Sequence, residues 1–253
     1  MRVIAIANQK GGSAKSTTTV NLAAALAENR RRVLVIDLDP QGNSTYWLSP
    51  PAQSPGVYDV LVKNGTMHAA IHPSSVDLIS ILPASSDLSS SDKALAQEVG
   101  AETLLGRKLA KLGTKDWDYI LIDTPPTLGI LTLNALVAAR ELIVPVEGHV
   151  LALAGLAQLV DTIEVVRERL NPALALSGIV ACRIDARTRH SRDVVDSLRE
   201  RFGGTVYGTV IRENIRLAEA PSFGKPITLY DSASTGAHDY RQLAHEVMRQ
   251  EAR

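Results

Sequence analysis

The sequence predicts an α/β fold: a doubly wound, mostly parallel sheet with flanking helices, in a single domain over residues 1–253. Three observations predict it. Short runs that are apolar at every position recur along the chain, as strands covered on both faces require. Stretches with helical apolar spacing lie between them, and strands alternating with helices build parallel sheets. Two of the runs lead directly into aspartates, Asp37 and Asp123, at the strand edge where open α/β sheets carry their ligands.

The first run is Val3–Ala7, and the helical stretch Ser16–Asn29 follows with Val20, Leu22, Ala23, Ala25 and Leu26 as its apolar positions. Val33–Ile36 is the second strand. Further strands are expected at Leu78–Leu82, Tyr119–Ile122, Leu142–Val146, Ser177–Ala181 and Thr205–Val210. Helices are expected at Thr103–Leu112, Leu131–Ala139, Leu153–Leu170, Asp193–Phe202 and Ala237–Gln250. The Pro- and Ser-rich stretch Ser49–Gly56 and the Ser-rich stretch Ser85–Asp92 read as surface loops.

Composition narrows the function. At 253 residues the chain is long enough to bury a core without staples, and 45% apolar with 21% charged residues excludes disorder. Lys+Arg 27 balances Asp+Glu 27, so any affinity for nucleic acid must come from a local patch. A lone cysteine, Cys182, excludes an internal disulfide framework and a cysteine-ligated cluster, and reads as a small hydrophobe. The six histidines show no metal-ligand spacing. The apolar N-terminal run is too short for a signal peptide, and no stretch reaches membrane-span length, so a cytoplasmic protein without a membrane partner is expected.

The most informative segment is Gln9-Lys10-Gly11-Gly12-Ser13-Ala14-Lys15-Ser16-Thr17, between the first strand and the first helix. Adjacent glycines let a backbone wrap an anion with its N–H groups turned inward, and the helix N-terminus adds positive potential. Lys15 then reaches β- and γ-phosphates and the Ser16 hydroxyl serves Mg²⁺. The motif is a K-G-G-x-x-K-[ST] variant with an additional lysine, Lys10. A backbone turn at Ala14 that needs positive φ would carry strain.

Phosphoryl transfer asks for a metal, an ordered water and charge neutralisation. Asp123, in Ile120-Leu121-Ile122-Asp123-Thr124-Pro125-Pro126, stands like a Walker B aspartate. Asp37 and Asp39 alternate, so if their strand persists both point the same way, one for the metal's water shell and one for the attacking water.

Together these segments, with Asp37-Leu38-Asp39-Pro40-Gln41-Gly42-Asn43 and Leu217–Gly224, resemble the ParA/Soj family of chromosome and plasmid partition ATPases, P-loop proteins with a deviant Walker A motif. The similarity covers nearly the whole chain, and the first strand at residue 3 resembles the shorter, chromosomal type. The resemblance implies an ATP-bound sandwich dimer in which Lys10 reaches the partner's nucleotide. It implies phosphate and Mg²⁺ binding by Gly11, Gly12, Ser13, Ala14, Lys15, Ser16 and Thr17, hydrolysis dependent on Asp39, and Asp123 and Asp39 holding Mg²⁺ through water. Arg212 and Asn214 fall beside the adenine. Arg187 and Arg216 match positions implicated in non-specific DNA binding, and a ParB-like centromere-binding partner would stimulate turnover on the nucleoid. Three positions depart from the family: Ala14 for the usual glycine, Arg212 for a proline and His149 for a glutamate.

The residues alone add a local charge surplus. Residues 183–216 hold eight arginines against five carboxylates, a net of three positive charges. Arginines without neighbouring aromatics suit phosphate-backbone contact, whereas Asp196, Glu200 and the arginines around them read as a solvated face with i,i+4 pairs. The competing readings are a MinD-like division regulator, a reductase with a cysteine-held cluster, and a nucleotide-binding scaffold with little turnover. The last segment, Leu243–Arg253, offers too little apolar surface for a membrane helix, and one cysteine cannot hold a cluster.

Overall fold

A computed structural model describes residues 1–48, 55–113, 115–149 and 151–252. Its centre is one eight-stranded sheet. The strands are β1 (Arg2–Ile6), β2 (Val33–Asp37), β3 (His72–Pro73), β4 (Ile79–Leu82), β5 (Tyr119–Asp123), β6 (Glu141–Glu147), β7 (Ala175–Ile184) and β8 (Val206–Arg212). Their spatial order is β3-β4-β2-β5-β1-β6-β7-β8, parallel throughout except for the β3–β4 pair. The predicted doubly wound sheet is present.

Alternation within each strand explains the unbroken apolar runs. Val3, Ala5 and Ala7 of the first run pack on one face with Leu34, Ile36, Ile120 and Ile122. Ile4 and Ile6 turn to the other with Val33, Val35, Tyr119 and Leu121. The first face is covered by helices Leu104–Leu109, Ile130–Ala138, Leu151–Arg169 and Arg189–Phe202, through residues such as Leu105, Leu136, Leu159 and Leu198. The second is covered by Lys15–Glu28 and Thr235–Arg249, through Leu22, Leu26, Tyr240 and Leu243. Each such side chain contributes about 1.5–3 kcal/mol by leaving water.

Strand and helix boundaries fall close to the sequence expectations, but one loop expectation changes. Ser86–Ser90 is a 3-10 turn and Ser91–Leu95 an α-helix, because Leu88 and Leu95 give that stretch an apolar side to bury. Residues 49–54 of the other expected loop lie outside the described residues. The short helix Asn43–Leu48 is also new, held by buried Trp47 and Leu48.

Register places the chemistry. Asp37 of β2 sits opposite Asp123 of β5, and Asp123 sits opposite Ile6 of β1. Two carboxylates and the start of the glycine-rich loop therefore share one level at the carboxyl edge of the sheet.

Candidate functional site

The loop leaves β1 and is pinned at once. Asn8 Nδ2 donates to the Pro145 carbonyl at 2.7 Å, and its Oδ1 accepts from the Lys10 N–H at 3.0 Å. Gly12 then takes φ +76°, and a Cβ at Gly11 or Gly12 would meet nothing within 4 Å, which leaves the cradle open. Ala14 has φ 64° and ψ 25°, the left-handed conformation foreseen for it, at a cost of about 1 kcal/mol for a residue with a Cβ. No side chain caps the helix that starts at Lys15, so the N-terminal N–H groups keep their positive field for an anion.

Behind the loop lies a buried charge cluster. Asp37 and Asp123 are fully buried, while Lys15 and Asp39 are nearly so. Burial lowers the Lys15 pKa, against the opposing pull of Asp123 and Asp39. Burial, then the Asp123 charge, pushes the Asp37 carboxyl well above the usual carboxylate range. Burial also raises Asp123, with the Ser16 and Ser44 hydroxyls acting against it. Ser44 Oγ donates to Asp123 Oδ2 at 2.7 Å, whereas the buried Oδ1 has no hydrogen-bond partner. That orphaned oxygen, on a carboxyl that the Ser16 hydroxyl also influences, suits the water shell of a hard divalent cation.

The paired roles expected for Asp37 and Asp39 do not arise, because β2 ends at Asp37. Asp37 is a scaffold: its carboxylate accepts from the Asp39 N–H at 3.1 Å and from the Thr45 N–H and hydroxyl, both at 2.7 Å. This turn directs Asp39 to the cleft wall. Asp39, Gln41, Asn43, Tyr46 and the loop from Gly11 to Thr17 line a cleft of about 420 Å³.

A second cleft of about 430 Å³ shares Gly12, Ala14, Thr17 and Pro221 with the first and is walled by Ile211, Arg212, Asn214, Leu217 and Tyr240. Its apolar walls suit a flat ring, next to a cradle that suits phosphates. Asn214 is held at both ends of its amide: Oδ1 accepts from the Leu217 N–H at 3.2 Å and Nδ2 donates to Thr235 Oγ1 at 2.6 Å. Arg212 pairs with Asp239, Nε to Oδ2 at 3.0 Å. Both residues line the cleft with their side-chain polarity engaged inside the protein.

Lys10 points to β6, where Nζ meets Glu147 Oε2 at 3.0 Å. Arg187 is bidentate on Asp185, with both contacts at 2.9 Å. Arg216 contacts Glu219 at 3.1 Å and Asp231 at 3.8 Å. The Phe223–Tyr230 stack lies beside it, since Tyr230 also donates to Glu219 Oε2; the arginine region therefore has an aromatic neighbour that chain order hid. On the helix Arg189–Phe202 the i,i+4 pair that forms is Arg189–Asp193, not one at Asp196 or Glu200. Cys182 is buried, and burial raises its thiol to about 12, so it is inert as expected. Among the described residues no group of three or more His, Cys, Asp or Glu is arranged to hold a metal, and no helix is long and apolar enough to cross a membrane.

Sequence reasoning missed Asn8, Ser44, Thr45 and Glu147, and counted Arg183 only within the basic surplus. Ser44 and Thr45 directly follow the Asp37–Asn43 motif, a proximity that was the available signal. Glu147 and Arg183 gave none, since their contacts cross between strands.

A family profile described as an AAA domain matches residues 1–176. The chromosome-partitioning ATPase Soj of Thermus thermophilus is 48% identical over 98% of this chain and 96% of its own. The sporulation initiation inhibitor protein Soj of Bacillus subtilis is 42% identical over 97% and 98%. Among solved structures, cobyrinic acid a,c-diamide synthase of Mycobacterium smegmatis, with an ATP analogue and magnesium, superposes with TM-score 0.86 and 38% identity, covering 100% of this chain and 96% of that one. With identity of this order along the whole length, the chain belongs to the Soj/ParA family of partition ATPases.

Proposed function

We propose that the protein is a Mg–ATP-dependent dimerising ATPase that binds DNA without sequence preference and drives chromosome or plasmid segregation with a ParB-like partner. The observation that carries this reading is the orphaned, fully buried Asp123 Oδ1 beside an uncapped, anion-shaped loop. Such an oxygen is costly unless a cation's water shell satisfies it.

In this reading the N–H groups of Gly11–Thr17 and the Lys15 ammonium hold the phosphates, and the apolar cleft beyond Ala14 takes the base. Ser16, Asp123 and Asp39 are the residues that would hold Mg²⁺, the two aspartates through water. Mg²⁺ supplies charge neutralisation for the transferred phosphoryl group. Asp39, freed from strand geometry by the turn at Asp37, positions the attacking water. Lys10 leaves Glu147 to meet the nucleotide of a second subunit, so a contact present only with the triphosphate favours the pair. Arg187 and Arg216 exchange their carboxylate partners for DNA phosphates.

The helix Thr235–Arg249 speaks against a membrane-bound, MinD-like role. Its apolar residues Ala237, Tyr240, Leu243, Ala244 and Val247 are buried in the core. A scaffold without turnover is separated by measurement. Asp39→Ala should bind Mg–ATP and dimerise while hydrolysis falls by roughly a hundredfold or more; intact turnover would remove Asp39 from its role. DNA binding should require Mg–ATP, weaken with salt and drop on Arg216→Glu. Calorimetry showing no uptake of adenine nucleotide with magnesium would end the whole reading.

A further inference from the structure

Glu147, at the end of β6, holds two cations at once. Lys10 Nζ lies 3.0 Å from Oε2 and Arg183 Nη1 lies 2.9 Å from Oε1. The carboxylate is the sheltered member, its side chain 14% exposed against 39% for Lys10 and 63% for Arg183.

Arg183 reaches this position by an unusual backbone. It has φ 55°, in the left-handed region, where the β7–β8 register shifts between Cys182 and Ile184. For a residue with a Cβ this costs about 1 kcal/mol, and such outliers gather at functional sites. Gly148 permits the approach of β6 to β7: its N–H donates to the Cys182 carbonyl at 3.1 Å, and a Cβ there would come within 2.7 Å of Ile184. Arg183 also lines the cleft beside Gly12.

Without Arg183, the departure of Lys10 would strand a sheltered carboxylate next to arriving phosphates. With it, Glu147 keeps a counter-ion in either state, and the two cations, repelling one another, weaken each other's hold. We infer that Arg183 is a positioning residue that makes Lys10 exchangeable, standing in as the counter-ion of Glu147 when the lysine leaves for a nucleotide phosphate. This rests on the reading of Lys10 as the lysine that crosses to a second subunit.

The test begins on the nucleotide-free protein, by reductive methylation of amines with Lys10 quantified by peptide mass spectrometry. Arg183→Gly, which the left-handed backbone accommodates, should slow Lys10 labelling about threefold, the size of a surface ion-pair effect. Arg183→Lys should restore the rate. In a Glu147→Gln background labelling should be fast and indifferent to Arg183→Gly. Equal labelling of Arg183→Gly and the wild type, or the same slowing without Glu147, overturns the inference. Sedimentation with Mg²⁺ and a non-hydrolysable ATP analogue tests the underlying reading. Lys10→Ala should lose the dimer and Arg183→Gly should weaken it about threefold. If Lys10→Ala dimerises like the wild type, the crossing lysine and the inference fall together. If Lys10→Ala fails to dimerise while labelling ignores Arg183, only the inference falls.

Discussion

The two ends of the sheet are built from the same strands and treat polarity in opposite ways. At the amino end, Arg2 donates to Glu141 at 2.7 Å and 2.5 Å and to the Val247 carbonyl at 2.5 Å. Ser177 Oγ lies 2.9 Å from Glu141 Oε2 and 3.0 Å from Gln250 Oε1, its one hydrogen serving either, and Tyr207 donates to Gln250 Oε1 at 3.3 Å. Tyr119 closes the network by donating to Glu251. This cluster ties five strands to the C-terminal turn, and none of its buried side-chain atoms lacks a partner among the described residues. At the carboxyl end Gln9 Nε2, Ser13 Oγ and Asp123 Oδ1 are buried without partners. Asp37 and Asp123 face each other there, and Ala14 and Arg183 sit in left-handed backbone. Unsatisfied buried polarity is concentrated where a ligand can relieve it, whereas left-handed backbone occurs at both ends, with Arg30 and Leu78 just before β2 and β4. The amino end holds the fold, and in the proposed reading the carboxyl end holds the function.

The sharpest way to break this contrast is to remove the central cation of each end. Lys15→Ala takes the ammonium from beside two carboxylates and should weaken Mg–ATP binding by roughly a hundredfold or more in calorimetry. Its amino-end counterpart, Arg2→Ala, leaves Glu141 half-buried and unpaired. It should cost about 2–3 kcal/mol in urea unfolding and leave nucleotide affinity within about twofold of the wild type. An Arg2 variant that binds nucleotide as poorly as the Lys15 variant would show that the ends are not separate.

The sequence shows both ends unequally. The strands were legible because being covered on both faces makes them apolar at every position, and their carboxyl ends followed from that. Lys15, Ser16, Asp39 and Asp123 stand out as candidates because anion and metal sites need those residue types just past a strand. The strand order was not, since periodicity within a strand says nothing of its neighbours. Asp37 was misread as a partner of Asp39 because the alternation rule holds only while β2 continues, and Thr45 draws the Asp37 carboxylate into a turn instead. Glu147 was invisible because its two cations come from residues 137 positions before it and 36 after it.

A smaller effect distinguishes the ends by the sign of their pH dependence. Asp37 and Asp123 have raised folded-state pKa values, first from burial, so the native state binds protons that the unfolded state has released. Their contribution is lost as pH rises from about 4 upward. At Glu141, burial acts to raise the pKa, but the hydrogen bond and charge of Arg2 outweigh it and the net shift is downward. Its contribution is present above the usual glutamate range and lost as pH falls below it. Without nucleotide, urea stability should therefore peak near about pH 5 and fall by roughly 1–2 kcal/mol toward pH 8. Asp123→Asn should make the alkaline limb shallower, the rest of it belonging to Asp37, and Glu141→Gln should make the acid limb shallower, the rest of it belonging to Asp59, Asp118 and Asp185. A Glu141 variant that changes the alkaline limb would contradict the assignment.

The smallest expected effect is at Ala14, where strain sits in the loop itself. Ala14→Gly removes about 1 kcal/mol of left-handed cost. It returns about 0.5–1 kcal/mol through the freer unfolded chain. It also deletes a methyl packed against the core of the first helix, worth about another 0.5 kcal/mol. The three terms nearly cancel, so the urea midpoint should move by less than about 0.5 kcal/mol. Ala14→Val should instead cost about 2 kcal/mol, because a β-branched side chain tolerates this φ least. If Ala14→Gly stabilised the protein by much more than 1 kcal/mol, the methyl would be contributing nothing, and the loop's alanine would be pure strain held for the nucleotide. A near-zero change joined to a costly valine would show instead that this chain meets the turn's demand with a methyl group small enough to fit.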